Sequence, residues 1–133
     1  TVSLRYFNVY GPREPLKGEY APVMGLFKRQ KAAGHPMTIV GDGEQRRDFT
    51  HIKDVVKANL IAAERFDVTG PVNIGTGVNY SINDLARMIQ GEKTHVSDRV
   101  GETRETLANI DRARRELDWN PSVTLIDYLI ENI

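Results

Sequence analysis

Cysteine is absent from all 133 residues. That excludes a disulfide framework, a thiolate metal site and a cysteine nucleophile, and it accords with the reducing cytoplasm expected as its location. Net charge is absent too: eighteen Lys and Arg balance eighteen Asp and Glu. The chain as a whole therefore has no field with which to recruit nucleic acid or an anionic membrane, and any basic site must be local. There is no apolar run of membrane-spanning length, no targeting segment, no low-complexity stretch and no repeat at a solenoid period. What remains, 40% hydrophobic and 27% charged, is an ordinary globular composition. A chain of this size is expected to form one domain, residues 1–133, around one core. It opens Thr-Val-Ser without a Met, so a piece of something longer is expected.

Short β-rich runs alternate with helical patterns. Val2 to Tyr10 is rich in β-branched and aromatic residues and stops at Gly11-Pro12, which reads as one opening strand. A loop through Pro12, Pro15, Gly18 and Pro22 precedes a helix over Val23 to Ala33, closed by Gly34 and Pro36. Met37 to Val40 is a strand cut off by Gly41-Asp-Gly43. Ile52, Val55, Val56, Leu60 and Ala63 share one helical stripe, with Asp54 in the first turn, where the helix dipole favours a carboxylate. Pro71 to Ile74 is a third strand, and Ser81 with Asp84 resembles a capping box ahead of Ile82, Leu85, Ala86 and Ile89. Thr94 to Ser97 reads as a short edge strand, Asp111 as the cap of a helix through Leu117, and Thr124 with Asp127 as the start of a last helix. Strands separated by helices predict an α/β fold with a small, mostly parallel sheet and flanking helices, whose first strand is an edge or lacks a partner.

Much chemistry is excluded. Gly41-Asp-Gly43 and Gly75-Thr-Gly77 are followed by Arg46 and Tyr80 where a dinucleotide fingerprint needs its third glycine. No P-loop and no G-x-S-x-G elbow occurs, and His35, His51 and His95 stand apart without metal-ligand spacing, so no metal site is expected. The informative residues are cationic and beside turns: Arg46-Arg47-Asp48, and Arg99 next to Gly101. A guanidinium presents paired N–H donors that match two phosphate oxygens, so two of them from separate loops can clamp one diphosphate. The competing reading pairs them locally with Asp48, Glu44 or Glu102, an arrangement worth little at a surface.

Five segments, Leu4-Arg-Tyr-Phe-Asn-Val-Tyr-Gly-Pro-Arg13, Thr38 to Val55, Asn73-Ile-Gly-Thr-Gly77, Arg99-Val-Gly-Glu102 and Leu117-Asp-Trp-Asn-Pro121, occur in an order that covers nearly the whole chain. Together they resemble the nucleotide-diphosphate-sugar epimerases and dehydratases of the extended short-chain dehydrogenase/reductase family, typified by UDP-glucose 4-epimerase. The resemblance implies the carboxy-terminal, substrate-binding part of such an enzyme, with residues 2–10 as a late strand of a Rossmann sheet whose amino-terminal nucleotide-binding half is not in this chain. It further implies that Asn8 hydrogen-bonds the sugar nucleotide and that Tyr6 lies near the nicotinamide of NAD. Arg47 and Arg99 would bind the diphosphate and ribose side, and the strand carrying Thr38 and Val40 would offer backbone groups to the base. Glu102 stands where the family more often has Asp, and Asn109 where it often has Asp.

The family's chemistry also uses a glycine-rich loop and a Tyr-x-x-x-Lys pair. Here Tyr6, Tyr10, Tyr20, Tyr80 and Tyr128 are followed four residues on by Tyr10, Glu14, Met24, Asp84 and Asn132, so no tyrosine has its lysine. The expectation is a chain that binds the nucleotide-diphosphate moiety for an NAD-dependent, UDP-glucose-like 4-epimerase and is inactive alone. The rivals are a dehydratase or reductase fragment, a non-catalytic sugar-nucleotide-binding module or one chain of a split enzyme, and a folded remnant without ligand affinity. The unpaired sheet edge predicts self-association.

Overall fold

The opening β-rich run is two strands, because the chain changes partner at Asn8. In the computed structural model, which describes residues 1–18 and 21–133, the order is β1 (Val2–Tyr6), β2 (Val9–Tyr10), α1 (Val23–Ala32), β3 (Met37–Val40), β4 (Arg46–Arg47), β5 (Thr50–His51) and α2 (Ile52–Glu64). Then follow β6 (Gly70–Ile74), β7 (Tyr80–Ser81), α3 (Ile82–Ile89), β8 (Lys93–Val96), α4 (Asp111–Leu117) and α5 (Leu125–Asn132). Tyr20 lies outside the described residues.

β1 runs parallel to β6 from Val2 opposite Gly70 to Tyr6 opposite Ile74, whereas β2 runs parallel to β5. The opening strand thus has a partner within the chain and, in a two-stranded pair, stands at an edge, the first of the two outcomes expected for it. Asn8 sits at the switch with φ of 30°, in the left-handed region where Asn is among the tolerated residues. β3 and β8 are also parallel, and β4 with β7 is antiparallel. The α/β class and the dominance of parallel pairing are as expected. The two-residue strands β4, β5 and β7 leave no periodicity to read, and among the described residues the pairing comes as four two-stranded pieces. Among the described residues no helix is long and apolar enough to cross a membrane.

Among the described residues two apolar clusters form, not one. The first gathers Phe27, Met37, Ile39, Leu85, Ile89 and Leu129 between α1, β3, α3 and α5. The second gathers Val55, Val72, Ile74, Ala113, Leu117 and Trp119 between α2, β6 and α4. The helix caps follow the sequence closely for α3, where Ser81 and Asp84 make the reciprocal box, and for α5, where Thr124 accepts from the Asp127 N–H. At α4, Asp111 is the first helical residue and not the cap: Ile110 holds the N-cap position without a side-chain cap bond, and the Asn109 side chain accepts the Asp111 N–H at 3.0 Å.

The stripe read on α2 is corrected as well. Asp54, Val55, Ala58 and Ala62 are its buried residues, while Ile52, Val56, Leu60 and Ala63 point outward. Two alanines let the helix approach β1 and α4 closely. Asp54 is buried because its carboxylate accepts the Ser122 and Val123 N–H groups and the Ser122 hydroxyl at 2.7–3.1 Å, which ties the carboxy-terminal segment to the first turn of α2.

Candidate functional site

Alternation along β4 decides which arginine serves the site. Arg46 turns away: its Nε and Nη2 donate to the Asn79 side chain and carbonyl at 2.9 and 3.0 Å. Arg47 therefore projects to the other side, where Nη1 donates to the Arg46 carbonyl at 2.8 Å and Nη2 to Glu102 Oε1 at 3.1 Å. Asp48 fixes the pair from behind. Fully buried, it accepts the Thr76 N–H and hydroxyl on Oδ1 and the Gly77 and Ala108 N–H groups on Oδ2, at 2.7–3.1 Å. A buried carboxylate needs that many donors to offset its lost hydration. Gly75 permits it: a Cβ there would lie 2.4 Å from that of Ala108 and 3.1 Å from Asp48 Oδ2. The Gly75-Thr-Gly77 turn is thus a clamp for Asp48.

In front of Arg47 opens a cavity of about 530 Å³, lined on its polar side by Asn8, Thr38, Val40, Gln45, Arg47, Arg99 and Glu102, and on its apolar side by Val23, Leu26 and Ile82 among others. Five of the six residues singled out by sequence, Asn8, Thr38, Val40, Arg47 and Arg99, therefore border one space. Asn8 is oriented by the Thr106 hydroxyl, which donates to Asn8 Oδ1 at 3.3 Å and accepts from the Asp48 N–H at 3.2 Å. Among the described residues, no partner engages the Asn8 side-chain NH₂ or the Arg99 guanidinium.

On the strand edge the sequence reading needs refinement. The Thr38 N–H is taken by Gln30 Oε1 at 3.0 Å, and the Val40 carbonyl by Gln45 Nε2 at 3.0 Å. Each strand residue projects its N–H and C=O to the same side, so the Thr38 carbonyl and the Val40 N–H share this edge. One acceptor and one donor remain, rather than the full pair of each.

Tyr6 is not brought to the cavity. It is half-exposed on β1, and its hydroxyl exchanges hydrogen bonds with the Asn59 side chain of α2 at 2.9–3.1 Å. The residues that sequence reasoning passed over are Gln30, Gln45 and Thr106. Of these Gln45 carried a signal, since it stands directly before the Arg pair. The local pairing weighed for the arginines is real for Arg47, whose partner is Glu102. The loop bearing Arg99 and Glu102 is anchored by Arg104, which donates to both Asp42 carboxylate oxygens at 2.9 Å and holds that carboxyl down to about 2. Among the described residues no group of three His, Cys, Asp or Glu is placed to hold a metal.

The chain is 39% identical over 128 residues to a putative UDP-glucose 4-epimerase of Methanocaldococcus jannaschii, a match covering 92% of this chain and 41% of that protein. The crystal structure of Thermotoga maritima UDP-glucose 4-epimerase with UDP-glucose superposes with a TM-score of 0.90 at 37% identity, over 96% of this chain and 43% of that one. For UDP-N-acetylglucosamine 4-epimerase of Methanobrevibacter ruminantium, in complex with UDP-N-acetylmuramic acid, the TM-score is 0.91 at 34% identity, over 98% and 44%. The chain spans less than half the length of each of these relatives. The model of the NAD dependent epimerase/dehydratase family matches residues 1–75, more than half of the chain, and the chain belongs to that family.

Proposed function

We propose that this chain binds the nucleotide-diphosphate moiety of a sugar nucleotide, as the substrate-binding part of an NAD-dependent 4-epimerase acting on a UDP-glucose-like substrate. The observation that carries the reading is that Asn8, Thr38, Val40, Arg47 and Arg99, from four separate segments, line one cavity. Arg47 and Arg99 supply fork-shaped donors for the diphosphate oxygens. Asn8 offers its NH₂ to the sugar end, and the apolar wall of Leu26 and Ile82 covers the base. At the β3 edge, the Thr38 carbonyl and the Val40 N–H match a base that presents an N–H beside a carbonyl, as uracil does.

NAD is the family's cofactor by its description. The residues of this chain do not by themselves make a dinucleotide site: neither glycine turn has the third glycine, and Tyr6 offers one aromatic wall without a phosphate cradle. No step is assigned to this chain beyond binding and orienting the substrate. Residues 2–10 belong, on this reading, to a larger sheet completed by the part of the relatives that lies outside the match.

Titration with UDP, followed by thermal unfolding, tests the binding. A ligand at a hundredfold excess over its Kd stabilises the folded state by about 2.7 kcal/mol. No shift at millimolar UDP would remove the proposal. Incubation with UDP-glucose and NAD, with the chain free of host enzymes, is expected to give no UDP-galactose, and measurable turnover would overturn the assignment of catalysis elsewhere.

A further inference from the structure

The Gly41-Asp-Gly43 turn makes no dinucleotide site, yet it stands between the residues that give the cavity its polar side. β3, with Thr38 and Val40, runs into it, and Gln45 and Arg47 follow it. The turn is seated on α3: the Asn83 N–H reaches the Gly43 carbonyl at 3.0 Å, and the Asn83 side-chain NH₂ donates to the Asp42 carbonyl at 2.9 Å. Both ends of the segment that carries Arg99 are tied to this same turn. At its start the Val96 carbonyl accepts the Gly41 N–H at 2.9 Å, and the His95 Nδ1 lies 2.8 Å from the Gly41 carbonyl. Asp98 then lies against Gly41, where a Cβ would come within 1.9 Å of its carboxylate. At the other end Arg104 sends Nη1 and Nη2 to the two carboxylate oxygens of Asp42, each at 2.9 Å. Asp42 is aimed by its own turn, since its Oδ1 also accepts the Glu44 N–H at 2.9 Å. Residues 97–103, between the two ties, are all exposed.

We propose that Asp42 and Arg104 are positioning residues, a latch that closes the 97–103 segment onto the Gly41 turn and thereby sets Arg99 at the edge of the cavity. The inference rests on the reading of the cavity as a diphosphate site. An exposed ion pair adds little to stability. Two parallel N–H···O bonds do fix a direction, however. A segment with no buried residue takes its geometry from its ends, and tying both to one turn narrows the positions open to Arg99 before a ligand arrives. Less ordering then remains to be done on binding. Among the described residues neither Asp42 nor Arg104 lines the cavity, so the effect passes through Arg99.

The test is calorimetric titration of UDP and of uridine into the unaltered chain, Asp42→Asn, Arg104→Gln and the double variant at fixed ionic strength. Asparagine keeps an acceptor for the Glu44 N–H, and both positions are exposed, so the melting temperatures should stay close to that of the unaltered chain. The sign of the change separates a latch from a charge effect. If only the field mattered, removing the anion would tighten UDP and removing the cation would weaken it. With the latch, each single variant weakens UDP roughly three- to fivefold and the double variant no more than either. Uridine, which lacks the diphosphate, should bind all four forms alike, and Asp42→Asn should change nothing further in an Arg99→Ala background. Asp42→Asn that tightens UDP, leaves it unchanged or weakens uridine equally would overturn the latch, and the cavity reading would survive if Arg47→Ala still cost UDP affinity. If the unaltered chain binds no UDP, the cavity reading falls and the latch with it.

Discussion

The two apolar clusters of this small fold are finished to different degrees. Around Phe27, Ile39 and Leu85, helices α1, α3 and α5 close over β3, and the outward residues of that strand, Thr38 and Val40, border the cavity. Around Ile74, Leu117 and Trp119 the parallel pair β1–β6 is covered incompletely: no residue of β1 is fully buried, and Ser3, Arg5 and Tyr6 are exposed. Parallel strands are normally covered on both faces. Beside that pair, α2 presents Val56 at 51% and Leu60 at 66% exposure. The first cluster forms a closed core that borders the cavity, whereas the second leaves apolar side chains uncovered beside it. A shared length of chain thus divides into a cavity-facing part and a part whose apolar surface exceeds what its own helices cover.

The largest effect should come from cutting the link between them. Trp119 is fully buried, donates its Nε1 to the Asp54 carbonyl at 2.9 Å and seats the segment on which Ser122 and Val123 reach the Asp54 carboxylate. Trp119→Ala is expected to cost about 3–5 kcal/mol by urea unfolding, with a single transition if the two clusters unfold together. Two transitions would show that the comparison describes independent units. Next comes Arg47→Ala, which acts on the closed part alone. It is expected to weaken UDP by about 2–5 kcal/mol, more than tenfold, while changing the unfolding midpoint little. A loss below threefold would make the guanidinium an ordinary surface pair with Glu102.

How far the sequence carried these conclusions depends on what each residue's partners are. Arg47 and Arg99 were legible because guanidinium groups beside turns suit an anion, and Asn8 because its segment, Leu4 to Arg13, resembles the family. The α3 cap was legible because Ser81 and Asp84 are three residues apart and satisfy each other. The face of α2 was not: a hydrophobic stripe records that Ile52, Val56 and Leu60 avoid polar neighbours on the helix, and is the same whether they meet a core or another surface. Its true core side, Asp54, Ala58 and Ala62, is small or charged, and becomes apparent only once Ser122 and Trp119 are seen against it. Asp48 was hidden for the same reason, since its donors come from Thr76, Gly77 and Ala108, 28 to 60 positions away. Gln30 and Gln45, which cap the β3 edge, have no pattern that distinguishes them from surface glutamines.

The open part has its own test, with a small effect on stability and a large one on association. Val56→Lys with Leu60→Glu alters only outward side chains, so the unfolding free energy should move by less than about 0.5 kcal/mol. Sedimentation should show a concentration-dependent oligomer of the unaltered chain converted to monomer by the pair. A chain monomeric before substitution would mean that β1 and α2 do not drive self-association.

The smallest expected effect is a pH dependence seated at the junction of the two parts. His51 caps α2, its Nδ1 accepting the Lys53 N–H at 3.1 Å, and its ring meets Tyr10 edge-to-face and Tyr128 at a tilt in the closed cluster. Burial lowers its pKa below the ordinary imidazole value, more than the nearby Asp54 carboxylate raises it. The folded state therefore favours the neutral ring, which alone can accept the capping hydrogen bond. As pH falls below about 6.5 the unfolded chain takes up the proton first, so the contribution is fully present above that value and is lost as pH falls through the lower folded value. Asp42, held near 2, titrates well below this window and does not obscure it. The melting temperature should fall between pH 7 and pH 5, and His51→Asn, which retains a capping oxygen but cannot titrate, should flatten that part of the slope. An undiminished slope in the variant would show that the dependence is not seated at His51.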